Sequence, residues 1–518
     1  MSTAANTVAG SVGSGVAILP QYDLEVNGET LPQELAGALE DIQVQRRLSQ
    51  PSRCELTFRA DREHLGDLGS IAVGAKLRIA VTPTSQSLFD GEVTSIEYEY
   101  EPNAAEVVRV RGYDALHHLR KRQPVKVHVE VTPQDLARDL VSDLGLTVEA
   151  DDPGPVIRRI IQHQQSDFEM LVEEARRVGL YLALDDDVLR MVTLEGSGDA
   201  IALELGRSLL EVRVELNGEQ ACRSVTARGW DASRVEAHEG TVSGARSGRS
   251  IQAAAGPDSF GEGGERTLTG ESFPDDGHAE AVAQAELDIR TAREATLWGV
   301  AEGNAELVPG ARIDVSGVAS AFEGQYVLTS VKHTLNRQSG FVSEISTEAP
   351  ALDRRSKSAS VAWGRVTRVD DPENYGRVQV ALPAMGEVET GWMGVLAPGA
   401  GSGKGVVALP DVGDEVLVLL IEGDPSLGVV LGGLYGTKGG ADFGVEGTAV
   451  RRYTIATPGG QKIRLDDGAS SIRMEDKTGN VVELSPKKVS VHAAVDLEIE
   501  APGKAIVITA STIDFRKG

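Results

Sequence analysis

The stretch VAWGRVTRVDDPENYGRVQVALP (361–383), continued by LPDVGDEVLVLLIEGDPSLGVVLGGLYG (409–436), sets short apolar runs between turns rich in Gly, Pro and Asp. The runs are Gly364 to Val369, Gly376 to Leu382, Glu415 to Ile421 and Gly428 to Leu434. Apolar strands of six or seven residues separated by such turns predict a small closed β-domain, with a five-stranded barrel of the OB type the first choice. A chain of 518 residues is too long for one such unit and predicts three to five. Only 4% of residues are aromatic while Gly reaches 58, a composition that suits a multi-domain β-rich protein better than one large enzyme core.

Two pieces make the central stretch specific. Trp363-Gly364 is followed by Asn374-Tyr375-Gly376-Arg377-Val378, and Pro410-x-x-Gly413-Asp414-Glu415-Val416 by Glu422-Gly423-Asp424-Pro425. Together they resemble the OB domain of VgrG and phage baseplate spike proteins, the puncturing trimers of contractile injection machines. The runs TPQDLARDLVSDLGL (132–146) and SDFEMLVEEARRVGLYLAL (166–184) are similar to the hub part of VgrG and of the phage late-control tail protein family. On their own terms both runs are helices. Thr132 and Ser166 stand at N-caps, Leu136, Leu140 and Leu144 stripe the first helix, and Phe168, Leu171, Val172 and Ala175 share a face of the second.

A meander recurs on either side of these helices. Gly310-Ala311-Arg312-Ile313-Asp314-Val315 echoes Gly74 to Ile79, Ala321 to Gly324 echoes Leu88 to Gly91, and Leu328 to Val331 echoes Val93 to Ile96. Phe341 to Ile345 stands where Val107 to Arg111 stood. Preserved order of several weak echoes predicts two like barrels in one chain. Three chains would present six.

After Arg451 the pattern changes. Apolar pairs recur as Ile463/Leu465, Ile472/Met474, Val482/Leu484, Val489/Val491, Leu497/Ile499, Ile506/Ile508 and Ile513/Phe515, each alternating in period two and followed by a turn. So thin a chain has no second layer for its apolar face. Three copies about one axis would bury it in a prism, with Ile463, Leu465, Ile472, Met474, Leu484, Val489, Val491, Leu497, Ile499, Ile506 and Ile508 as the trimer core. Seven strands at ~4.8 Å would give a needle on the order of 30 Å long. A solitary β-helix or an extra sheet would use the same pattern. The resemblance implies the prism, in this order after the OB domain, and a separate conical PAAR-repeat tip protein docked on the last strand through Ile513, Asp514, Phe515 and Arg516.

The expected fold is therefore mainly β, multi-domain with a minor α+β part: two hub β-barrels with an α/β section, an OB-fold barrel and a C-terminal trimeric β-helix needle. The expected divisions are a flexible tail at 1–17, a first barrel at 18–120, an α/β section at 121–230 and a surface loop at 231–277. A helix with the second barrel follows at 278–352. After a Lys-Ser linker at 353–360 come the OB barrel at 361–436, a linker at 437–453 and the spike at 454–518.

Net charge is −27, and a trimer would carry roughly −81, which disfavours nucleic acid and anionic lipid. Cys54 and Cys222 lie far apart and read as reduced thiols of a protein made in the cytosol. Residues 1–17 lack a basic n-region and a continuous apolar h-region, and no run of about twenty apolar residues occurs elsewhere, so neither a signal peptide nor a membrane span is expected.

Catalytic chemistry finds little support. Gly399 to Gly405 imitates a phosphate loop, but Pro398 stands where the Walker pattern needs Gly, and Gly405 where it needs Ser or Thr. His117, His118 and His163 lack metal-ligand spacing, and no HExxH or CxxC occurs. Asp370-Asp371 and Asp466-Asp467 sit at turns, where Asp satisfies backbone N–H groups. Some spikes of the resembled family carry a lysozyme insert or an effector; with only Thr437 to Arg451 between the OB stretch and the spike, neither is expected.

The expectation is a non-enzymatic homotrimeric spike and baseplate hub without a cofactor. Its partners would be copies of itself, an inner tube protein, baseplate proteins and the PAAR tip, with a target membrane met only on firing. Assembly is expected in the bacterial cytoplasm and service in an extracellular phage-tail-like particle, with a type VI secretion spike or a phage tail spike as alternatives. A cell-wall hydrolase would need a catalytic acid in a cleft domain. An oligonucleotide-binding OB protein would need exposed aromatics and a basic groove, whereas Trp363, Trp392 and Tyr375 are expected in core or interface.

Overall fold

Alternation along Lys76–Thr82, Gln86–Glu99 and Glu106–Tyr113 buries one side of each strand and gives the first barrel its core, in which Val44, Leu56, Phe58, Ile79, Phe89 and Val110 are shielded from solvent. The computed structural model describes residues 21–516, apart from 61–67, 69–70, 83–85, 101–105, 254, 258–263, 352–357, 438 and 441. The tail expected at 1–17 and most of the linker at 353–360 lie outside the described residues. The chain divides into two compact units, Met1–Gly433 and Leu434–Gly518.

The echo in the sequence is a structural equivalence. In the first barrel Leu77 pairs with Gly91 across the antiparallel ladder, and in the second Ile313 pairs with Tyr326. Gly74 donates to the Val93 carbonyl at 2.8 Å and Val93 returns a bond to Ala75; Gly310 donates to the Leu328 carbonyl at 2.7 Å and Leu328 returns a bond to Ala311. Gly74 and Gly310 each have φ of +91°, a backbone conformation that side chains rarely tolerate and that turns the chain into its strand at the same point of each barrel. Strand Ser330–Asn336 of the second barrel then pairs with Leu39–Arg47 of the first, from Ser330 opposite Arg47 to Asn336 opposite Asp41. Both barrels thereby share one 11-stranded sheet.

Between them lie helices Pro133–Val141 and Asp167–Arg177. Each opens on a reciprocal capping box, Thr132 with Asp135 and Ser166 with Glu169, and buries the apolar stripe that the sequence places on one face. Strand Ile157–Gln162 pairs with Lys126–Val131 and sends Ile161 into the core of the OB barrel beside Val366, Val380 and Val418.

The surface loop expected at 231–277 is a correction. Glu236–Val242 pairs antiparallel with Ser224–Asp231, and Glu265–Glu271 pairs parallel to the same strand, so much of this segment forms a three-stranded sheet against helix Asp276–Glu294. Its small residues serve close approach rather than flexibility: a Cβ on Gly240 would meet the Glu280 backbone N at 2.2 Å, and one on Gly229 the Phe273 ring at 2.3 Å. Ala279 and Ala283 of the helix pack there with Val225, Leu268 and Phe273.

In the OB barrel Ser360–Arg368 is the central strand, paired with Gln379–Leu382 on one side and Glu415–Leu420 on the other. A Cβ on Gly364 would meet Val380 at 2.2 Å, which accounts for the glycine after Trp363. The PENYGR loop folds around one carboxylate. Asp371 accepts from the backbone N of Glu373 (3.1 Å), Tyr375 (2.9 Å) and Arg377 (3.3 Å) and from the Arg377 guanidinium at 2.7 and 3.0 Å. The guanidinium first, and the backbone donors with it, hold the Asp371 carboxyl well below the usual carboxylate range. Trp363 and Tyr375 are mostly exposed, so of the core or interface placement expected for them the core is ruled out. Gly399 to Gly405 is an exposed tip, closed by a bridge between Gly401 and Lys404.

Candidate assembly surfaces

The C-terminal unit is a meander of Arg452–Ala456, Lys462–Asp466, Ser471–Glu475, Val481–Leu484 and Val489–His492. Its register stacks the apolar pairs: Ile455 opposite Ile463, Tyr453 opposite Leu465, Leu465 opposite Ile472, Ile463 opposite Met474, Ile472 opposite Leu484 and Leu484 opposite Val489. The opposite face carries Arg464, Arg473, Glu475 and Glu483, tied by Arg473 to Glu475 (2.8 Å) and to Glu483 (3.4 Å) and by Lys462 to Glu475 (3.5 Å).

Exposure is inverted with respect to chemistry. Ile472 is 43% exposed and Val489 72%, whereas the side chains of Glu475 and Lys462 are 25% and 30% exposed. An apolar sheet face left wet while the ionic face is half-covered is a surface made for another layer.

All the side chains expected in the trimer core up to Val491 lie on this face. Tyr453 and Ile455 extend it by one strand that the sequence reading missed, although Tyr453-Thr454-Ile455 carries the same alternation before the Gly459-Gly460 turn. The seven-strand needle is corrected to five strands in the single chain. Beyond His492 no strand is formed among the described residues; Leu497, Ile499, Ile506, Ile508, Ile513 and Phe515 are exposed, and Asp514 pairs only with Arg516 at 2.6 Å. A hairpin can pair with itself, but a segment whose neighbours belong to other copies has no ladder partner within its own chain.

The hub offers a second surface. Within the shared sheet the order Leu209–Leu216, Ala295–Glu302, Gly340–Ser346, Ser330–Asn336 repeats as Leu39–Arg47, Gln50–Ala60, Glu106–Tyr113, Gln86–Glu99. The inner ends of the two quartets are joined. Their outer ends, Leu209–Leu216 and the second half of Gln86–Glu99, keep one unpaired edge each among the described residues, with Leu210 and Tyr98 exposed. At the joined seam His333 is fully buried, bonded to Ser343 at 2.9 Å; burial and then the Arg46 cation push its pKa down to about 3.

A cavity of about 820 Å³ lies between the α/β section and the OB barrel. Ion pairs cross its lining, Arg158 to Asp231 at 3.6 Å and Arg234 to Glu373 at 3.4 Å. His163, expected to be an ordinary histidine, lines it and approaches the Ile161 carbonyl at 3.3 Å.

Twin hub barrels, a helical section, an OB barrel and an apolar-faced C-terminal meander make up a fold like that of VgrG-like hub-spike proteins. The chain belongs to the family described by the Alg8 N-terminal domain, matched over residues 17–337, which is more than half of its length. Residues 362–435 match the type VI secretion system/phage-baseplate injector OB domain, within a residue of the limits read from the sequence.

The type VI secretion system spike protein VgrG4b of Pseudomonas aeruginosa is 30% identical over 131 residues, 24% of this chain and 15% of the relative. The curated relatives are thus matched over less than a quarter of their own length. The E. coli c3393 protein, described as a type VI component with structural similarity to the T4 tail proteins gp27 and gp5, superposes with a TM-score of 0.52 at 14% identity, covering 79% of this chain and 99% of that one. A Francisella PdpA-VgrG complex chain gives 0.55 at 9% identity, covering 91% and 79%.

Proposed function

We propose that the protein is the homotrimeric central hub and spike of a contractile injection system, with a mechanical and non-enzymatic role. The observation that carries this reading is the inverted meander, whose apolar face runs in register across five strands and is wet in the single chain. Three copies would close that face into a prism, and close-packed, hydrogen-bonded β-structure resists the shear of sheath contraction. The duplicated hub supports the adaptor part of the reading. If the free edge of Leu209–Leu216 pairs with the second half of Gln86–Glu99 in the next copy, as their counterparts pair within one chain, three chains form a ring of six like barrels facing a six-fold inner tube. A PAAR-repeat tip protein would cap the far end.

The type VI variant of this role has the specific support of the likeness to VgrG4b. Either variant places assembly in the bacterial cytoplasm and service in the contractile particle. Native mass spectrometry of the purified full chain tests the proposal: a trimer of the 54.8 kDa chain is expected, and a folded monomer at micromolar concentration would remove the needle and the ring together.

A further inference from the structure

Three side chains outside the assembly surfaces converge at the end of the first barrel. Glu92 follows Gly91 in strand Gln86–Glu99 and lies opposite Tyr113, where the ladder is about to slip register between Val93 and Ser95. Four residues after Tyr113 the short helix His117–Arg120 begins, and the turn between them is pinned. The buried Asp114 accepts from the Ser52 backbone N at 2.6 Å and from the Leu116 N at 3.0 Å. That turn folds two adjacent imidazoles back over one carboxylate.

The distances match a coordination shell. His117 Nε2 lies 3.5 Å from one Glu92 carboxylate oxygen, His118 Nε2 lies 3.2 Å from the other, and the three ligand atoms are all within 4.8 Å of one another. Ligands ~2.1 Å from a tetrahedral ion stand about 3.4 Å apart. His117 gives the independent observation: its side chain is only 6% exposed, and its Nε2 has no hydrogen-bond partner. A buried ring nitrogen without a hydrogen bond is costly, and in the tautomer protonated at Nδ1 it would present its lone pair to a cation among the three groups. His118 and Glu92 are each about one-third exposed, so a fourth position is open to water.

We propose that Glu92, His117 and His118 bind a divalent transition-metal ion of the zinc class. Two neutral imidazoles and a carboxylate are a three-ligand set that suits zinc and its borderline neighbours, whereas calcium and magnesium prefer oxygen ligands alone. Bound there, the ion ties helix His117–Arg120 to strand Gln86–Glu99, whose outer half keeps a free sheet edge among the described residues. The sequence reading passed over these histidines because their third partner lies 25 positions upstream and only the turn at Asp114 brings it near.

The test uses full-length protein stripped with a chelator and titrated with Zn²⁺ against a chromophoric competitor. One tight equivalent per chain and a raised melting temperature are expected, and Co²⁺ in place of Zn²⁺ should show the visible absorption of a four-coordinate site. Glu92→Gln and His118→Ala, both on the solvent side, should each weaken Zn²⁺ by more than the roughly hundredfold that outer-shell changes can cost, while His163→Ala changes nothing. Absence of uptake by the unaltered chain overturns the site, as does unchanged affinity in both variants. Displacement of Zn²⁺ by an equal concentration of Ca²⁺ overturns its class.

Discussion

Ile79 in the first barrel and Ile472 in the C-terminal meander sit in the same local setting and end in opposite environments. Each lies in an antiparallel strand with a large apolar cross-strand partner, Phe89 for one and Leu484 for the other. Ile79 is fully buried and Ile472 is 43% exposed. Strand chemistry is therefore not what separates the two regions. The hub chain curls back to lay a second layer over its own sheet; the meander is one layer thick and carries no second layer among the described residues. A region closed by its own chain folds as a monomer, whereas one that other copies must close is stable only to the extent that they associate.

Substitutions at these two isoleucines test that contrast most strongly. Ile472→Asp places three carboxylates on the apolar face of the proposed trimer, where unpaired buried charge costs several kcal/mol. Loss of the trimer is expected while hub and OB barrel stay folded, read by light scattering together with circular dichroism. Ile79→Ala leaves a cavity in the first barrel and costs about 2–5 kcal/mol. That loss should be the same at every protein concentration, whereas the effect of Ile472→Asp should shrink as concentration rises. Equal concentration dependence in both variants would erase the distinction between the regions.

The sequence made the contrast legible only in part. Period-two alternation shows which side chains share a face, so the meander's apolar ladder from Ile463 to Val491 could be read directly. Alternation does not say which face is wet, and here the apolar one is. The OB barrel was readable to within a residue because its turns are chemically specific: Asp371 and Arg377 fix the PENYGR loop, and Gly364 lets Val380 approach. The sheet at Ser224–Glu271 was missed because its glycines imitate a loop while serving tight contact with an alanine-faced helix. Pairing of Ser330–Asn336 with Leu39–Arg47 was invisible, since a ladder between strands nearly three hundred residues apart leaves no local signal. Glu92 with His117 and His118 was hidden for the same reason.

A smaller effect sharpens the comparison from the hub side. His333 sits at the seam that only the hub possesses, and its pKa of about 3 lies below the ordinary histidine value of 6.5, so the folded seam holds the imidazole neutral. Between pH 6.5 and 3 the unfolded chain binds the proton and the folded one does not. Stability from this group is therefore whole above 6.5 and falls as the pH drops, by about 2 kcal/mol at pH 5. Asp114 runs the other way: burial raises its carboxyl to about 6, so stability rises as the pH falls from 6 towards 4. The reading is thus a difference between proteins. The hub transition of His333→Leu should lose less between pH 7 and 5 than that of the unaltered chain, and equal losses would mean that the seam opens to water before it unfolds.

The smallest effect on stability should come from the residues beyond the last paired strand. Ile513 is 50% exposed and Phe515 88%, and neither has a ladder partner among the described residues. If they present an open strand edge to the tip protein, their side chains act at that interface and contribute little to the closed prism, because an unpaired edge takes whatever strand is offered and side-chain pockets then select it. Replacing both by serine should leave the trimer mass and the melting temperature unchanged while a PAAR-repeat protein is no longer retained on immobilised trimer. Equal retention would place the tip elsewhere. A fall in melting temperature with the tip absent would instead assign Ile513 and Phe515 to the prism core, and the boundary between what three copies close and what a partner closes would move past Phe515.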